Sequence, residues 1–391
     1  MYRKLKDFFL NRPWTFLIIY ALLAIIATVQ AYYGGVKKFS DLPYDYTGYN
    51  NYLIFKQSFF HLIEGKDLYS FYSNEYWDLY KYSPTFALLF GVLACLPDGL
   101  GLLLWNLINA LALFFGVRLL TGISLQLRNT IYLLATVELF TSLQNSQSNA
   151  LVTGLIVLAF ALMEKERFIW ACFCIALTVY IKIFGLFAFA LCLLYPQRWK
   201  MIGYSIAAMI VLAVLPLLII SASQLQGCYE SWWVLLQSDY VPNLLSLVSV
   251  INIWLGVKLA QNLVLITGVF LFLISMIRIR FYTDNRFRLL MLAMILLWMV
   301  IFNHKVESPT FIIAFTGIGL WYVSSGLAQQ WKIALTLMAL VFTSLSPTDL
   351  FPGFIQENYF DPWAVKTIPC IVIYFVVFYE LTFRPNQFIS Q

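Results

Sequence analysis

Long apolar runs that carry almost no charge are the feature that most constrains this chain. The runs 13–33, 199–221 and 258–276 are each long enough to cross about 30 Å of hydrocarbon as a helix that rises about 1.5 Å per residue. Of the 391 residues, 61% are hydrophobic and only 11% are charged. Because a backbone in lipid must satisfy its own hydrogen bonds, the sequence predicts an all-α integral membrane protein with a single domain over residues 1–391.

Basic residues predict how the chain is oriented. Cations within residues 3–12 precede the first run, which has no small-residue cleavage site and is therefore expected to be a retained helix. Further cations lie between alternate apolar runs, at Arg118, Arg128, Lys165, Arg167, Arg198, Lys200, Arg278 to Arg288, Lys332 and Arg384. The positive-inside rule assigns these connections and both termini to the cytoplasm, and the pattern predicts about 12 transmembrane helices.

The remaining connections are rich in Asn, Gln, Ser, Tyr and Trp and are predicted to face outward. Residues 34–83 form a first extracytoplasmic loop, and residues 222–257 form a second large one. In the first loop, residues 52–62 have apolar side chains at helical spacing, which predicts an amphipathic helix on the outer membrane surface. The short runs 84–97 and 246–256 are expected to be re-entrant or half-depth helices on the same side.

Composition also excludes several classes of function. Six cysteines, nearly all inside apolar runs, and two histidines give no familiar zinc spacing, so neither a metal nor another cofactor is expected. The net charge of +6 comes from cations beside predicted helix ends, where they set topology. We therefore expect membrane lipids, and no nucleic acid, among the partners.

Two outward polar positions are candidates for binding. Residues 142–149 include Gln147 and Asn149 within a dense set of amides and hydroxyls, which either bind a ligand or cap two helix ends. Lys182 lies inside the otherwise apolar run 171–194, which contains no acid. An unpaired lysine in such a run is expected to face a cavity or an anionic ligand.

Acids and a third polar segment are candidates for chemistry. Residues 303–309 bring together His304, Lys305 and Glu307, which either hold a phosphate and an acceptor or form a solvated loop with a Lys305–Glu307 pair. In the first loop, Asp41 and Asp45 precede the amphipathic helix and are either catalytic or merely solvated. Other acids of that loop, such as Asp67 and Asp78, are expected to cap turns or lie in solvent.

A series of short motifs occurs in one order along most of residues 45–321. The first loop contributes Asp45-Tyr46, then Glu64-Gly65-Lys66-Asp67-Leu68-Tyr69, then Tyr80-Lys81-Tyr82-Ser83-Pro84, followed by Leu96-Pro97 and Trp105-Asn106. Later come Ser146-Gln147-Ser148-Asn149, Ile181-Lys182, Gln197-Arg198-Trp199 and Asn303-His304. In this order the chain resembles glycosyltransferase family 87 of the GT-C superfamily, with Gln147 and Asn149 at that family's Gly-Gln-x-Asn and Lys182 at its Lys-Pro.

The resemblance implies a GT-C type fold and an activity. Better known members transfer mannose from a polyprenyl-phosphate carrier to a lipid-linked acceptor at the outer membrane face. The resemblance assigns a general base to an Asp before the first amphipathic helix, here Asp45 in preference to Asp41. The family spacing to Gly65 is usually shorter, and at that spacing this chain has Asn50 and Asn51.

The sequence thus predicts a membrane hexosyltransferase that moves mannose or another hexose, with inversion, from a polyprenyl-phosphate monosaccharide to a lipid-linked or surface glycan acceptor. The expected catalytic residues are Asp45 and His304. The expected substrate-binding residues are Tyr82, Gln147, Asn149, Lys182, Lys305 and Glu307. The lysines would stabilise the departing phosphate, and tyrosines of the first loop would stack on sugar faces.

Two alternatives stay open. A transporter or flippase of an amphiphilic lipid-linked substrate also needs a buried lysine, but it should have polar sites reachable from both faces, whereas the polar segments here lie on one predicted face. A ligase for undecaprenyl-diphosphate glycans would want several arginines in outer loops, and the predicted outer loops have none.

Overall fold

Helices dominate the computed structural model, which describes residues 12, 14–38, 44–238 and 244–384. Among these residues the one sheet is a two-stranded antiparallel ribbon, β1 (Val36–Lys37) with β2 (Tyr46–Thr47), in which Val36 pairs with Thr47. The all-α prediction is therefore confirmed apart from this ribbon in the first loop. Asp41 lies outside the described residues.

The α-helices follow in chain order. They are α1 (Thr15–Tyr33), α2 (Asn50–Glu64), α3 (Pro84–Ala94), α4 (Asp98–Arg118), α5 (Leu125–Gln144), α6 (Asn149–Met163), α7 (Phe168–Ile181), α8 (Arg198–Val214), α9 (Ala222–Ser238), α10 (Leu247–Leu255), α11 (Gln261–Met276), α12 (Asn285–Ile301), α13 (Phe311–Ser324), α14 (Gln329–Ala339), α15 (Gly353–Ile355) and α16 (Ile368–Phe383). The 3₁₀ segments are Ile183–Leu194, Leu215–Leu218, Ile279–Phe281, Ser308–Thr310 and Val365–Thr367, and the π segments are Leu340–Leu345 and Gln356–Phe360.

Four helical segments of the described chain are long and apolar enough to cross a membrane: Thr15–Tyr33, Asp98–Arg118, Arg198–Leu218 and Val365–Phe383. The segment Arg198–Leu218 is only 17% buried within the protein, so most of its apolar surface is left to face lipid. These segments support a membrane protein. The count of about 12 spans stays a prediction.

The centre of the helical bundle is formed by α12 and α13. Every residue of 289–301 in α12 and of 311–321 in α13 is buried, and the two helices pack against each other. A helix that is apolar and buried on all sides belongs in the interior of a bundle. The loop 302–310 between them is therefore anchored at both ends in the best-packed part of the protein.

Short helices lie within and directly after the first loop, and the expectation that the runs 84–97 and 246–256 are re-entrant or half-depth stays a prediction. The expected helix over 52–62 is α2, and Gly65 ends it with a left-handed φ of 74°. The run expected as a half-depth helix contains α3, which begins at Pro84 with Ser83 accepting a hydrogen bond from the Phe86 amide. The hydroxyl of Ser83 also donates to the carbonyl of Tyr180 at 2.6 Å, and this bond ties α3 to the end of α7.

Candidate active site

A cavity of about 200 Å³ lies where the first loop meets three helix junctions. Its lining residues are Asn51, Ile54, Phe55, Asp78, Leu79, Lys81, Tyr82, Gln147, Ile181, Lys182, Ile183, Phe184, Leu235, Leu236, Asn303, His304, Lys305 and Glu307. Segments far apart in sequence thus converge on one space. Among the predicted site residues, the cavity brings together Tyr82, Gln147, Lys182, His304, Lys305 and Glu307.

Lys182 reaches the cavity because the apolar run 171–194 is not one continuous helix. Helix α7 ends at Ile181, Lys182 has an extended backbone (φ −142°, ψ 120°), and a 3₁₀ segment begins at Ile183. Gly185 lets the chain fold back here, since a Cβ at this position would collide with Thr178. The ammonium of Lys182 therefore projects from a helix break, with its Nζ 3.3 Å from Gln147 Oε1 and 5.8 Å from the ring centroids of Tyr82 and Phe184.

Gln147 links three of the predicted residues. It lies in the turn between α5 and α6, after Ser146, whose backbone is left-handed at φ 50°. Its carbonyl oxygen accepts from Lys182 and, at 3.5 Å, from the Tyr82 hydroxyl, and its amide nitrogen donates to Glu307 Oε2 at 3.2 Å. The side-chain amide of Gln147 thus bonds to Lys182 through its oxygen and to Glu307 through its nitrogen.

The loop 302–310 supplies His304, Lys305 and Glu307. The amide of Lys305 donates to Asn303 Oδ1 at 3.0 Å, and a capping box between Glu307 and Thr310 starts the turn that leads into α13. These contacts fix the backbone of the loop at the cavity. Lys305 of this loop and Lys182 of the helix break together add two positive charges to the cavity wall, which also contains apolar side chains.

Tyr82 lies close to both acids of the cavity. Burial raises the pKa of Tyr82 above its usual range, and the negative charges of Glu307 and Asp78 raise it further. The phenol is therefore protonated at neutral pH and is a hydrogen-bond donor. Its ring packs edge-on against Phe55, with the centroids 4.9 Å apart, which gives the cavity an aromatic surface.

Two predicted site residues do not line the cavity. Asp45 lies beside the ribbon, its side chain is 57% exposed, and its carboxylate is 3.9 Å from Lys38 Nζ. Asn149 is the first residue of α6 and is fully buried, and neither of its side-chain amide atoms has a hydrogen-bond partner among the described residues. Their roles as a base and as a substrate ligand stay predictions.

Asp78 is a cavity residue that the sequence pattern did not indicate. The expectation that it only caps a turn or lies in solvent is incomplete, because Asp78 is a lining residue of the cavity, while its carboxylate accepts from the Leu79 amide at 2.7 Å and from Lys81 at 3.1 Å. Asp67, in contrast, does cap a turn, since it accepts from the Tyr69 amide and the Ser70 hydroxyl. The available signal was the position of Asp78 two residues before the Tyr80-Lys81-Tyr82 motif.

Comparison with known proteins assigns the sequence to a family. No curated protein matches the chain. Among solved structures, the crystal structure of ArnT from Cupriavidus metallidurans bound to undecaprenyl phosphate is 12% identical, with a TM-score of 0.49 over 95% of this chain and 77% of that chain. The family model for glycosyltransferase family 87 matches residues 80–303, a segment that includes Tyr82, Gln147 and Lys182. Since that segment is more than half of the 391 residues, the chain belongs to glycosyltransferase family 87.

Proposed function

We propose that this protein is a GT-C type membrane glycosyltransferase that takes a sugar from a polyprenyl-phosphate monosaccharide and attaches it to a hydroxyl of a lipid-linked or surface glycan acceptor. Family membership supports the transferase activity. The observation that carries the choice of donor is Lys182, a half-buried cation at a helix break that lines the cavity between apolar side chains. Such a site suits an anionic group attached to an apolar chain.

The donor phosphate is assigned to the end of the cavity that contains Lys182 and Lys305. A lysine ammonium is a compact charge with three donors, and charge-assisted hydrogen bonds to phosphate are stronger than neutral ones. When the bond from the sugar to the phosphate breaks, negative charge grows on the phosphate. Cations placed beforehand at that position stabilise the transition state more than the bound donor, and His304 adds a further polar group there.

The rest of the donor is assigned to the neighbouring walls. The apolar side chains of Ile183, Phe184, Leu235 and Leu236 offer contacts for the first isoprene units. The ring of Tyr82 offers a face on which a sugar stacks, and its hydroxyl a hydrogen bond. These contacts suit a hexose, and the family resemblance favours mannose.

The cavity is assigned to the extracytoplasmic side. Helix α4 runs from Asp98, which pairs with Lys56 of the first loop at 2.6 Å, to Arg118, whose guanidinium lies over the Trp14 ring near the start of α1. The first loop and the cation-rich connections therefore lie at opposite ends of this helix. By the positive-inside rule the end with Arg118 and both termini are cytoplasmic, and the cavity faces outward.

Substitution of Lys182 tests this proposal. Lys182→Met keeps the length of the side chain and removes the charge, so we expect the affinity of the purified protein for undecaprenyl phosphate to fall about 10- to 100-fold, the equivalent of about 1.5–3 kcal/mol for a charged hydrogen bond. Lys332→Met is the matched control, because Lys332 bonds to the Tyr322 carbonyl in another part of the protein. Equal affinities of Lys182→Met and the wild type, measured by titration calorimetry, would contradict the proposal.

A further inference from the structure

Removal of a proton from an acceptor hydroxyl requires a base that reaches the cavity. Among the described residues that line it, the carboxylates are Asp78 and Glu307. A general base must lie within hydrogen-bond reach of the proton that it takes, directly or through one water. These two acids are therefore the carboxylates whose position satisfies the first condition for this role.

Glu307 belongs to the phosphate end of the cavity. Its side chain accepts from Gln147, the same amide that bonds to Lys182, and takes part in the capping box with Thr310. Its contacts therefore hold the loop 302–310 and balance the charge of the lysine. In a single displacement the acceptor enters from the side of the sugar opposite to the departing phosphate, so a carboxylate bonded to the amide that also holds Lys182 is less suited to take the acceptor's proton.

Asp78 is held by contacts other than those of Glu307. Its carboxylate is oriented by the Leu79 amide and by Lys81, and its side chain is 47% exposed, so an acceptor that enters from water can reach it. Its backbone is left-handed, with a φ of 82°. Few residues with a side chain adopt this conformation, and Asp is among those that do so most readily, here with its carboxylate bonded to the Leu79 amide; it still costs of order 1 kcal/mol.

Asn50 imposes that conformation through the residue before Asp78. The side-chain amide of Asn50 donates to the carbonyl of Trp77 at 2.8 Å, and its oxygen accepts from the Trp77 amide, also at 2.8 Å. The first residue of α2 thus clamps both backbone groups of Trp77 across 27 positions of sequence. Two short hydrogen bonds and a strained φ position the carboxylate of Asp78 at the cavity.

The neighbouring position Asn51 carries an amide that cannot replace this carboxylate. Asn51 lines the cavity and donates to the carbonyl of Asn145 at 2.8 Å. A neutral amide does not take up a proton at neutral pH. At the family's usual distance from Gly65 this chain has Asn50 and Asn51. Asn50 therefore holds the backbone of Trp77, and Asn51 is a neutral cavity residue, where the family pattern would have an acid.

We propose that Asp78, and neither Asp45 nor Glu307, is the general base of the transfer, an inference that rests on the proposed function. The Asp78 carboxylate takes the proton of the acceptor hydroxyl as the acceptor oxygen bonds to the anomeric carbon. The bond from that carbon to the phosphate oxygen breaks at the same time, and its electron pair leaves with polyprenyl phosphate. The products are the glycoside, polyprenyl phosphate with one more negative charge, and a protonated Asp78.

Two substitutions at Asp78 separate a catalytic role from a structural one. Asp78→Asn keeps shape, and Asn tolerates left-handed backbone. Asp78→Gly removes the carboxylate and relieves the strain. We expect both variants to lose about 10²- to 10⁴-fold in turnover, while Asp78→Gly melts no lower than the wild type. Both should keep the wild-type affinity for undecaprenyl phosphate. Asp67→Asn, in the same loop, should transfer normally because Asp67 caps a turn away from the cavity.

Turnover is measured as the tritium transferred from polyprenyl-phosphate [³H]mannose or [³H]glucose to acceptors in membranes of the organism that makes this protein. Near-normal transfer by Asp78→Asn, or its loss in Asp45→Asn instead, would overturn the assignment of the base and leave the donor proposal standing. An Asp78→Gly protein with a lower melting temperature would show that the role is structural and would also overturn it. A wild-type protein that fails to bind undecaprenyl phosphate would instead count against the proposed function itself.

Discussion

Gln147, Lys182 and Glu307 lie at the ends of helices in the bundle, whereas Asn51, Asp78 and Lys81 belong to the long polar first loop. We refer to the first three residues as the helix-end half of the cavity and to the other three as the loop half. Gln147 is only 8% exposed, while the Asp78 side chain is 47% exposed. Lys182 is half-buried, whereas Glu307 is exposed like Asp78 and Lys81, so the two halves differ mainly in the contacts that hold the backbone around Gln147 and around Asp78.

Packing of the backbone supports the helix-end half. A Cβ on Gly154 of α6 would collide with the backbone of Ala112 in α4, so the two helices touch closely behind the turn that carries Gln147. Trp105 donates its indole N–H to the carbonyl of Ser146 at 2.8 Å in the same turn. Few changes of conformation are open to the turn that carries Gln147, so the proposed binding of the phosphate should be insensitive to changes in the first loop.

Hydrogen bonds from side chains support the loop half. Besides the Asn50 clamp on Trp77, the hydroxyl of Tyr46 donates to the carbonyl of Ser73 at 2.7 Å. Single side-chain bonds of this kind contribute about 1 kcal/mol each and are easily lost by substitution. The two halves should therefore respond to mutation in separate measurements, the helix-end half in donor affinity and the loop half in turnover.

Asn50→Ala should have the largest effect on the loop half among variants that keep the carboxylate of Asp78. It removes two hydrogen bonds, about 2 kcal/mol in all, and frees the turn that positions Asp78. We expect turnover to fall about 10- to 30-fold at saturating donor, because the proton acceptor is misplaced by a small distance. The affinity for undecaprenyl phosphate should stay at the wild-type value.

The same pair of measurements provides the control for Asn50→Ala. The loss of two hydrogen bonds is expected to lower the melting temperature somewhat, but a drop in the affinity for undecaprenyl phosphate as large as the drop in turnover would mean that Asn50 supports the whole cavity. In that case the separation of the two halves is wrong.

Gln147→Ala should have a smaller effect, and on the other quantity. Without this amide, Lys182 and Glu307 lose their common partner and are free to pair directly, which competes with the phosphate. We expect the affinity for undecaprenyl phosphate to fall about 3- to 10-fold, the equivalent of about 0.7–1.4 kcal/mol, with turnover nearly unchanged at saturating donor.

Gln144→Ala is the matched control, since the Gln144 amide in the same turn bonds to Gln30 outside the cavity at 2.9 Å. A loss of turnover without a change in affinity on Gln147→Ala would place Gln147 in the loop half and contradict the comparison.

The sequence indicates all three residues of the helix-end half, because these polar residues stand out against apolar neighbours. Lys182, Gln147 and residues 303–307 were identified as isolated polar positions in apolar surroundings, and the structure brings them to one cavity. The break of the run 171–194 at Lys182 was not predicted, since the residues on both sides of the break are equally apolar. Gln147 and Asn149 are two positions apart, and only the fold decides which of them faces the cavity.

The loop half was largely hidden from sequence reasoning. The position of Asp78 depends on a left-handed φ and on a contact with Asn50 across 27 residues, and neither leaves a local pattern. In a loop rich in acids and tyrosines, the family resemblance favoured Asp45, although its spacing to Gly65 is longer than usual, and Asp45 lies outside the cavity lining. A polar loop gives no contrast between a solvated acid and one held at a site, so geometry had to separate them.

The most direct test of the account is whether the bound lipid is cleaved. The purified protein is placed in liposomes made with lipids from the source membranes and given polyprenyl-phosphate sugar labelled with ¹⁴C in the polyprenyl chain and ³H in the sugar. A transferase yields [¹⁴C]polyprenyl phosphate and ³H in an acceptor, and Asp78→Asn should form both products about 10²- to 10⁴-fold more slowly. Movement of the doubly labelled donor across the bilayer without separation of the two labels would show a transporter and contradict the account.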